Sequence, residues 1–156
     1  MTPSKAYLYL IKLLSSRDYS EHKLRSKLNE KKFEQTEIDK AITSVKEKNY
    51  LREDLYKEAR TKAFISKGYS KKFIKNKLKI EKLTIEDDQL SDIYLDNHQS
   101  EEEQVLRLFH KKGDRLDLTD PKNVAKIIRF ALSKGHDYGL IKKVLLRYKE
   151  SINVDD

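Results

Sequence analysis

Lysine and arginine side chains recur at fixed distances after three similar segments of the chain. Counted from Ser20, Ser70 and Asp137, the fifth residue is basic in every segment and so is the twelfth: Arg25, Lys75 and Lys142, then Lys32, Lys82 and Lys149. Seven residues of helix return to nearly the same face, so each pair is expected on one side of a helix. Such cations bind phosphates without reading base sequence. The spacing therefore predicts a phosphate-binding face on each helix.

The second segment carries the densest set of lysines. Five of them fall within about 100° of arc on an ideal helix: Lys71, Lys72, Lys75, Lys79 and Lys82. Four more residues complete what we call the predicted basic face: Arg25, Lys32, Lys142 and Lys149. We expect this face to contact a polyanion such as a nucleic acid. An ordinary solvated surface is the alternative, and recurrence in three segments disfavours it.

Charge is distributed unevenly along the chain. The net charge is +8, yet residues 83–103 contain eight acidic residues and no lysine or arginine. Residues 1–82 contain 22 basic and 11 acidic residues. Asymmetry of this kind favours a polyanionic partner for the basic parts. The acidic stretch would stay away from that polyanion or contact a basic protein surface.

Signatures of catalysis, metal binding and membrane insertion are absent from the sequence. The four glycines stand apart, so there is no glycine-rich phosphate loop, and the four histidines show no metal-ligand spacing. There is no cysteine. No apolar run approaches the ~20 residues that span a membrane. We therefore predict a cytoplasmic protein that is not an enzyme and that uses no cofactor and no metal.

The elements that must position these cations begin with a repeated helix entrance. Each copy has an N-cap residue, an aromatic residue before it and an aliphatic residue four after it, which is the pattern of a hydrophobic staple. The three copies are Tyr19, Ser20 and Leu24, then Tyr69, Ser70 and Ile74, then His136, Asp137 and Ile141. Gly68 and Gly135 precede two of the copies, as expected for left-handed helix ends, and Asp18 substitutes in the first.

Recurrence of the motif predicts an all-α fold. We expect a tandem array of three three-helix units, elongated and curved. Repeat 1 covers 4–51, repeat 2 covers 52–98, repeat 3 covers 99–150 with a permuted helix order, and 151–156 form a flexible C-terminal tail. The third helix of repeat 2 is expected to start near Thr84. With no long heptad run, the chain is predicted to be a monomer.

The repeat motifs resemble those of a known family. The run from Leu14 to Leu28 is similar to the opening motif of the RecX regulators of the RecA recombinase. The segments around Tyr69 and around Gly135 match the family's second and third repeats, and the resemblance covers about residues 6–150.

The resemblance implies a function and a partner. RecX proteins are all-helical arrays that bind in the groove of the RecA filament on single-stranded DNA and suppress its ATPase and strand exchange. The resemblance thus implies a negative regulator of RecA in DNA repair, recombination and the SOS response. It also implies weak, sequence-independent contact with single-stranded DNA.

Two other functions fit the sequence. One is a free-standing nucleic-acid-binding module, in which the helix after Ser20 would act as the recognition helix of a helix-turn-helix and direct Lys23, Arg25 and Lys27 toward DNA. The other is a protein-interaction scaffold that uses the acidic stretch 86–103 as its contact surface.

Overall fold

Nine α-helices and no strand occur in residues 3–97 and 99–154, the part of the chain that our computed structural model describes. In chain order the helices are α1 Lys5–Ser16, α2 Glu21–Glu30, α3 Gln35–Glu47, α4 Glu53–Ser66, α5 Lys71–Ile80, α6 Asp87–Asp96, α7 Glu101–Gly113, α8 Pro121–Ser133 and α9 Tyr138–Val154. The all-α prediction is confirmed, and nine helices in this order are consistent with three-helix units in tandem. Among the described residues, no helix combines the length and the apolar composition needed to cross a bilayer.

The chain divides into two compact units. Unit 1 comprises Met1–Arg60 and Leu78–Thr84, and unit 2 comprises Thr61–Lys77 and Ile85–Asp156. This division does not follow the repeat boundaries predicted at residues 51 and 98, of which residue 98 lies outside the described residues. The three-repeat organisation therefore stays a prediction drawn from the register of the motif.

Each unit has an apolar core. In unit 1, α3 packs against α1 and α2, and the buried residues include Leu10, Leu24, Leu28, Ile38 and Ile42. In unit 2, α7 packs against α8 and α9, and the buried residues include Val105, Phe109, Ile127, Ile141 and Tyr148. These apolar residues recur at intervals of three and four along the helices, which is the spacing that buries one face.

The repeated helix entrance forms in all three places. A side-chain oxygen of each cap residue accepts a backbone amide three positions on, at 3.1, 3.1 and 3.3 Å for Ser20, Ser70 and Asp137. The aliphatic partners of the staple are fully buried: Leu24, Ile74 and Ile141. Capping and burial together fix where α2, α5 and α9 begin.

Five helix ends share a second device, in which one residue takes a left-handed backbone conformation. Its amide donates to the carbonyl three residues back, and the next amide donates to the carbonyl five residues before it, which is the Schellman pattern. The five residues, with φ values of 65°, 59°, 87°, 59° and 87°, are Lys32, Asn49, Gly68, Lys82 and Gly135. The turn ends α2, α3, α4, α5 and α8.

This turn overturns part of the sequence analysis. Lys32 and Lys82 were expected on helix faces, seven residues after Arg25 and Lys75, but α2 ends at Glu30 and α5 ends at Ile80. Both lysines instead occupy the left-handed turn. The prediction for Asp18 is also wrong, because φ is not positive there and α1 ends in an extended Arg17.

Two predicted boundaries also shift. Helix α6 begins at Asp87, after the N-cap Glu86, and not near Thr84 as predicted. Leu83 and Ile85 are buried in the loop that precedes it. Helix α9 continues to Val154, past residue 150 where a tail was expected to begin. Of that predicted tail, Asp155 and Asp156 lie outside the described residues.

Replacing either turn lysine with glycine is expected to stabilise the protein. A side chain with a Cβ atom is strained in the left-handed conformation, so Lys32→Gly or Lys82→Gly should raise the free energy of unfolding by about 1 kcal/mol. Asn49→Gly is the matched control and should gain only a few tenths, because asparagine tolerates this conformation. Urea denaturation followed by circular dichroism measures all three. Equal gains at the three positions would contradict the explanation.

Candidate functional site

The predicted basic face divides between the two units, and its members differ in how strongly they are neutralised. Unit 1 contains Arg25, Lys32, Lys79 and Lys82, and unit 2 contains Lys71, Lys72, Lys75, Lys142 and Lys149. Both units therefore carry candidate phosphate contacts, and each set is described by itself.

In unit 1, Arg25 is occupied by its own neighbours. Its guanidinium donates to Glu21 Oε2 at 2.9 Å and to Asp39 Oδ1 at 2.6 Å. Hydrogen bonds to Asp39 and Glu21 raise the pKa of Arg25, and the same contact lowers the pKa of Asp39. Arg25 is therefore a structural link between α2 and α3 that has little charge left for a ligand. This also weakens the helix-turn-helix interpretation, which needs Arg25 to face DNA.

The other three members of the predicted basic face in unit 1 are available to bind a ligand. Lys32, Lys79 and Lys82 are exposed. None of them forms an ion pair with a carboxylate within residues 3–97 and 99–154. Lys32 and Lys82 project from the strained turns described above. Lysine is a costly residue type in this backbone conformation, which makes both positions candidate functional residues.

In unit 2, the start of α5 is partly neutralised. Lys75 forms an ion pair with Asp87, and the Lys71 ammonium lies 5.2 Å from the centroid of the Tyr94 ring. The Lys71 backbone amide donates to Glu101 at 2.8 Å. Of these three members of the predicted basic face, Lys72 alone is exposed, and it has no carboxylate partner among the described residues. The lysines of α5 in this unit therefore do not form a uniform basic stripe.

Helix α9 contributes two further members of the predicted basic face. Lys142 is exposed, and its ammonium lies 5.6 Å from the centroid of the Tyr138 ring, which is 52% exposed. Lys149 is half-buried and lines a surface pocket of about 390 Å³ beside Asp114 and Asp117. Because these two carboxylates share its pocket, Lys149 is a weaker phosphate contact than Lys142.

Part of the acidic stretch 86–103 forms ion pairs within unit 2. Asp87 pairs with Lys75, and Glu102 accepts from Lys143 at 2.9 Å and from Arg147 at 3.1 Å. The hydrogen bond from Lys143 lowers the pKa of Glu102. These two carboxylates thus neutralise the unit's own cations. The other acidic residues of the stretch remain exposed, so the scaffold interpretation keeps an acidic surface: Glu86, Asp88, Asp92, Asp96 and Glu103.

Sequence reasoning missed three lysines of unit 2 that lie over aromatic rings. They are Lys77, Lys112 and Lys134. Two of the contacts, Lys77 over Phe73 and Lys134 over Phe130, have the four-residue spacing of a helix. The other two, Lys112 over Phe130 and Lys134 over Tyr69, join segments distant in the sequence, so local spacing does not predict them. In the described part of the chain, no cluster of histidine and acidic side chains could hold a metal ion.

Comparison with known proteins gives one consistent family. The family model for the RecX first three-helix domain matches residues 6–44. Regulatory protein RecX of Haemophilus influenzae strain PittEE is 31% identical over 133 residues, which cover 85% of this chain and 87% of that protein. Regulatory protein RecX of Clostridium botulinum strain Eklund 17B is 34% identical over 163 residues, covering 93% of this chain and 68% of that protein.

Solved structures agree on the fold. The crystal structure of RecX from Lactobacillus salivarius superposes with a TM-score of 0.65 at 20% identity, covering 93% of this chain and 95% of that one. A second RecX crystal structure gives a TM-score of 0.66 at 15% identity, covering 90% and 70%.

The fold and the surface charge first indicate the general class of the protein. The described residues form an all-helical fold that exposes many cations, which suits a binding protein. At the level of sequence, the match to curated relatives extends over most of both chains. The chain belongs to the RecX family of regulatory proteins, as the motifs around Tyr19 and Tyr69 indicated.

Proposed function

We propose that this protein is a negative regulator of a RecA-type recombinase. It would bind in the groove of the RecA filament on single-stranded DNA and suppress ATP hydrolysis and strand exchange. Membership of the RecX family over most of the chain is the observation that carries the proposal. The exposed lysines of both units support it, since they suit a nucleoprotein surface rich in phosphate.

The predicted basic face is narrowed by the contacts described above. We assign the strongest phosphate contacts to Lys32, Lys79 and Lys82 in unit 1 and to Lys72 and Lys142 in unit 2, because these side chains are exposed and lack carboxylate partners among the described residues. Arg25 and Lys75 become structural ion pairs. Lysine–phosphate contacts release counterions, so binding should weaken steeply with salt and be independent of base sequence.

The first test is the single-stranded-DNA-dependent ATPase of the bacterial RecA from the same source, with this protein titrated in at two salt concentrations. Inhibition is expected well below one molecule per RecA protomer, because one array that contacts several protomers acts on more than one active site. Absence of inhibition, together with salt-sensitive binding to bare DNA, would instead favour a free-standing nucleic-acid-binding module.

A second test uses variants of the two lysines in the left-handed turns, Lys32 and Lys82. The double variant Lys32→Gly with Lys82→Gly is expected to inhibit the RecA ATPase at least several-fold less potently at moderate salt, because it loses two phosphate contacts. The same variant is expected to be more stable than the original protein, so misfolding cannot account for weaker inhibition. Asn49→Gly changes an equivalent turn without removing a charge and should inhibit normally. Unchanged potency of the double variant would remove both lysines from the interface.

A further inference from the structure

Three lysines and three aromatic rings form one continuous series of contacts in unit 2. The series runs from α5 to α7 in the order Lys77, Phe73, Tyr69, Lys134, Phe130 and Lys112, which we call the cation–ring ladder. Successive members are separated, between ammonium nitrogens and ring centroids or between the two stacked rings, by 5.4, 4.0, 4.3, 5.6 and 4.9 Å. No member of the ladder belongs to the predicted basic face.

Backbone contacts hold the middle of the ladder in place. The Ser70 amide donates to the Lys134 carbonyl at 3.0 Å, which ties the turn before α5 to the end of α8. Gly135 approaches so closely that an added Cβ would lie 2.8 Å from Phe73 Cβ. The Tyr69 and Phe73 rings are nearly parallel, with an interplanar angle of 11°. The ladder is therefore built on packed elements and is not a chance meeting of mobile side chains.

The charge of the ladder is not neutralised. Within residues 3–97 and 99–154, none of its three ammonium groups forms an ion pair with a carboxylate, although Lys75 and Lys143 in the same unit do. Lys77 and Lys112 are exposed, and the three rings are between exposed and buried. An aromatic face attracts a cation without cancelling its charge, so the three ammonium groups remain available to an anion.

We propose that the cation–ring ladder is a contact site for single-stranded nucleic acid. A single strand presents one phosphate and one planar base per nucleotide, and sequence-independent binders meet it with cations and aromatic rings together. Phosphates would contact the ammonium groups, and bases would contact the accessible parts of the Phe73 and Phe130 rings. An acidic protein segment supplies the charge but no planar groups, so it uses only half of the ladder.

This inference deepens the proposed function, since it names a nucleic-acid contact for a filament regulator, but its test contains no recombinase. The full chain is titrated into fluorescent oligo(dT), and anisotropy is recorded over a range of salt concentrations. The variant Lys77→Gln, Lys112→Gln and Lys134→Gln should bind at least tenfold more weakly and lower the slope of log K against log salt by about 2, since each single-strand contact contributes about 0.7.

A matched control separates the ladder from net charge. Lys111→Gln, Lys122→Gln and Lys126→Gln remove three exposed lysines from the same unit and should weaken binding less than the ladder variant does. Equal weakening by both variants would overturn the proposal, as would full displacement of oligo(dT) by poly-glutamate of equal charge. The second result would assign the ladder to an acidic protein segment. If the original protein inhibits the RecA ATPase as proposed, either outcome leaves the proposed function standing.

Photocrosslinking tests the rings without altering the protein. Oligo(dT) carrying 5-iodouracil is irradiated with the original chain, and the adducts are mapped by mass spectrometry. Adducts at Phe73 or Phe130 are expected, whereas adducts confined to positions outside the ladder would overturn the role of the rings. As a second variant, Phe130→Leu keeps an apolar side chain against α7 and should weaken binding about fivefold, in the range measured for loss of one base–ring stack.

Discussion

Gly135→Ala is expected to lower the free energy of unfolding by about 3 kcal/mol, from left-handed strain and overpacking together. The backbone at Gly135 has φ of +87°, a conformation that alanine adopts only at a cost. An added Cβ would also lie 2.7 Å from Ser70 Oγ and 2.8 Å from Phe73 Cβ. Phe73 Cβ is the root of its side chain, and Ser70 Oγ is held by the hydrogen bond it accepts from the Phe73 amide, so the α5 entrance and the α8 end would have to separate.

Two other glycines serve as graded controls for this effect. Gly68→Ala carries the same backbone strain, but its Cβ would meet the methyl end of Leu108 at 2.8 Å, which a change of rotamer can relieve. Gly139→Ala meets only Asp137 Oδ2 at 3.0 Å and has no positive φ. Urea denaturation should therefore rank the losses as Gly135, then Gly68, then Gly139. Equal stability of the Gly135 and Gly139 variants would refute the close approach.

Local patterns in the sequence predict much of this fold. The caps at Ser20, Ser70 and Asp137 could be predicted because an N-cap side chain accepts a hydrogen bond from an amide only three residues away. The left-handed conformations of Gly68 and Gly135 could also be predicted, since helices commonly end in a left-handed glycine. These features depend on neighbours in the chain, so residue type and spacing suffice to find them.

The predictions that failed depended on where a helix stops. Lys32 and Lys82 were placed by continuing a helical register past Glu30 and Ile80. Because lysine is also common inside helices, a lysine at this position gives no sequence signal that the helix ends in a left-handed turn. Because the helices have ended there, the seven-residue return to one helix face no longer applies to Lys32 and Lys82.

Partners distant in sequence explain the rest. Arg25 is neutralised by Asp39, which lies on another helix, and Lys75 is neutralised by Asp87. The cation–ring ladder joins residues of α5, α7 and α8. Charge counted along the chain cannot reveal which cations are already paired, and that distinction decides which of them remain available to a ligand.

Acidification is expected to destabilise unit 2 through His136. The side chain is 4% exposed, and its Nε2 lies 2.7 Å from the Gly68 carbonyl oxygen. A carbonyl oxygen only accepts, so Nε2 carries the proton and donates. Nδ1 is buried with no hydrogen-bond partner among the described residues. Protonating His136 would therefore place a second N–H, and a charge, where nothing accepts them.

The direction of the pH effect follows from these contacts. Burial lowers the pKa of His136 below its usual 6.5, against smaller opposing effects of the Gly68 carbonyl and the Glu101 charge. Because the folded protein holds the neutral form, this stabilisation is complete above the unfolded pKa. It is lost as pH falls below that value toward the folded pKa, by at most about 1.4 kcal/mol per pH unit for one proton.

Two substitutions at His136 separate its charge from its packing. His136→Ala should lower the free energy of unfolding at pH 7 by about 3 kcal/mol, because it leaves a cavity and an unpaired Gly68 carbonyl. His136→Gln keeps a donor for that carbonyl and should lose less at pH 7. Urea denaturation at pH 7 and pH 5.5 should show a smaller acid-induced loss in His136→Gln than in the original chain, whereas His22→Gln should retain the original loss. Identical pH dependence in all three proteins would show that the ring of His136 already accommodates its second proton.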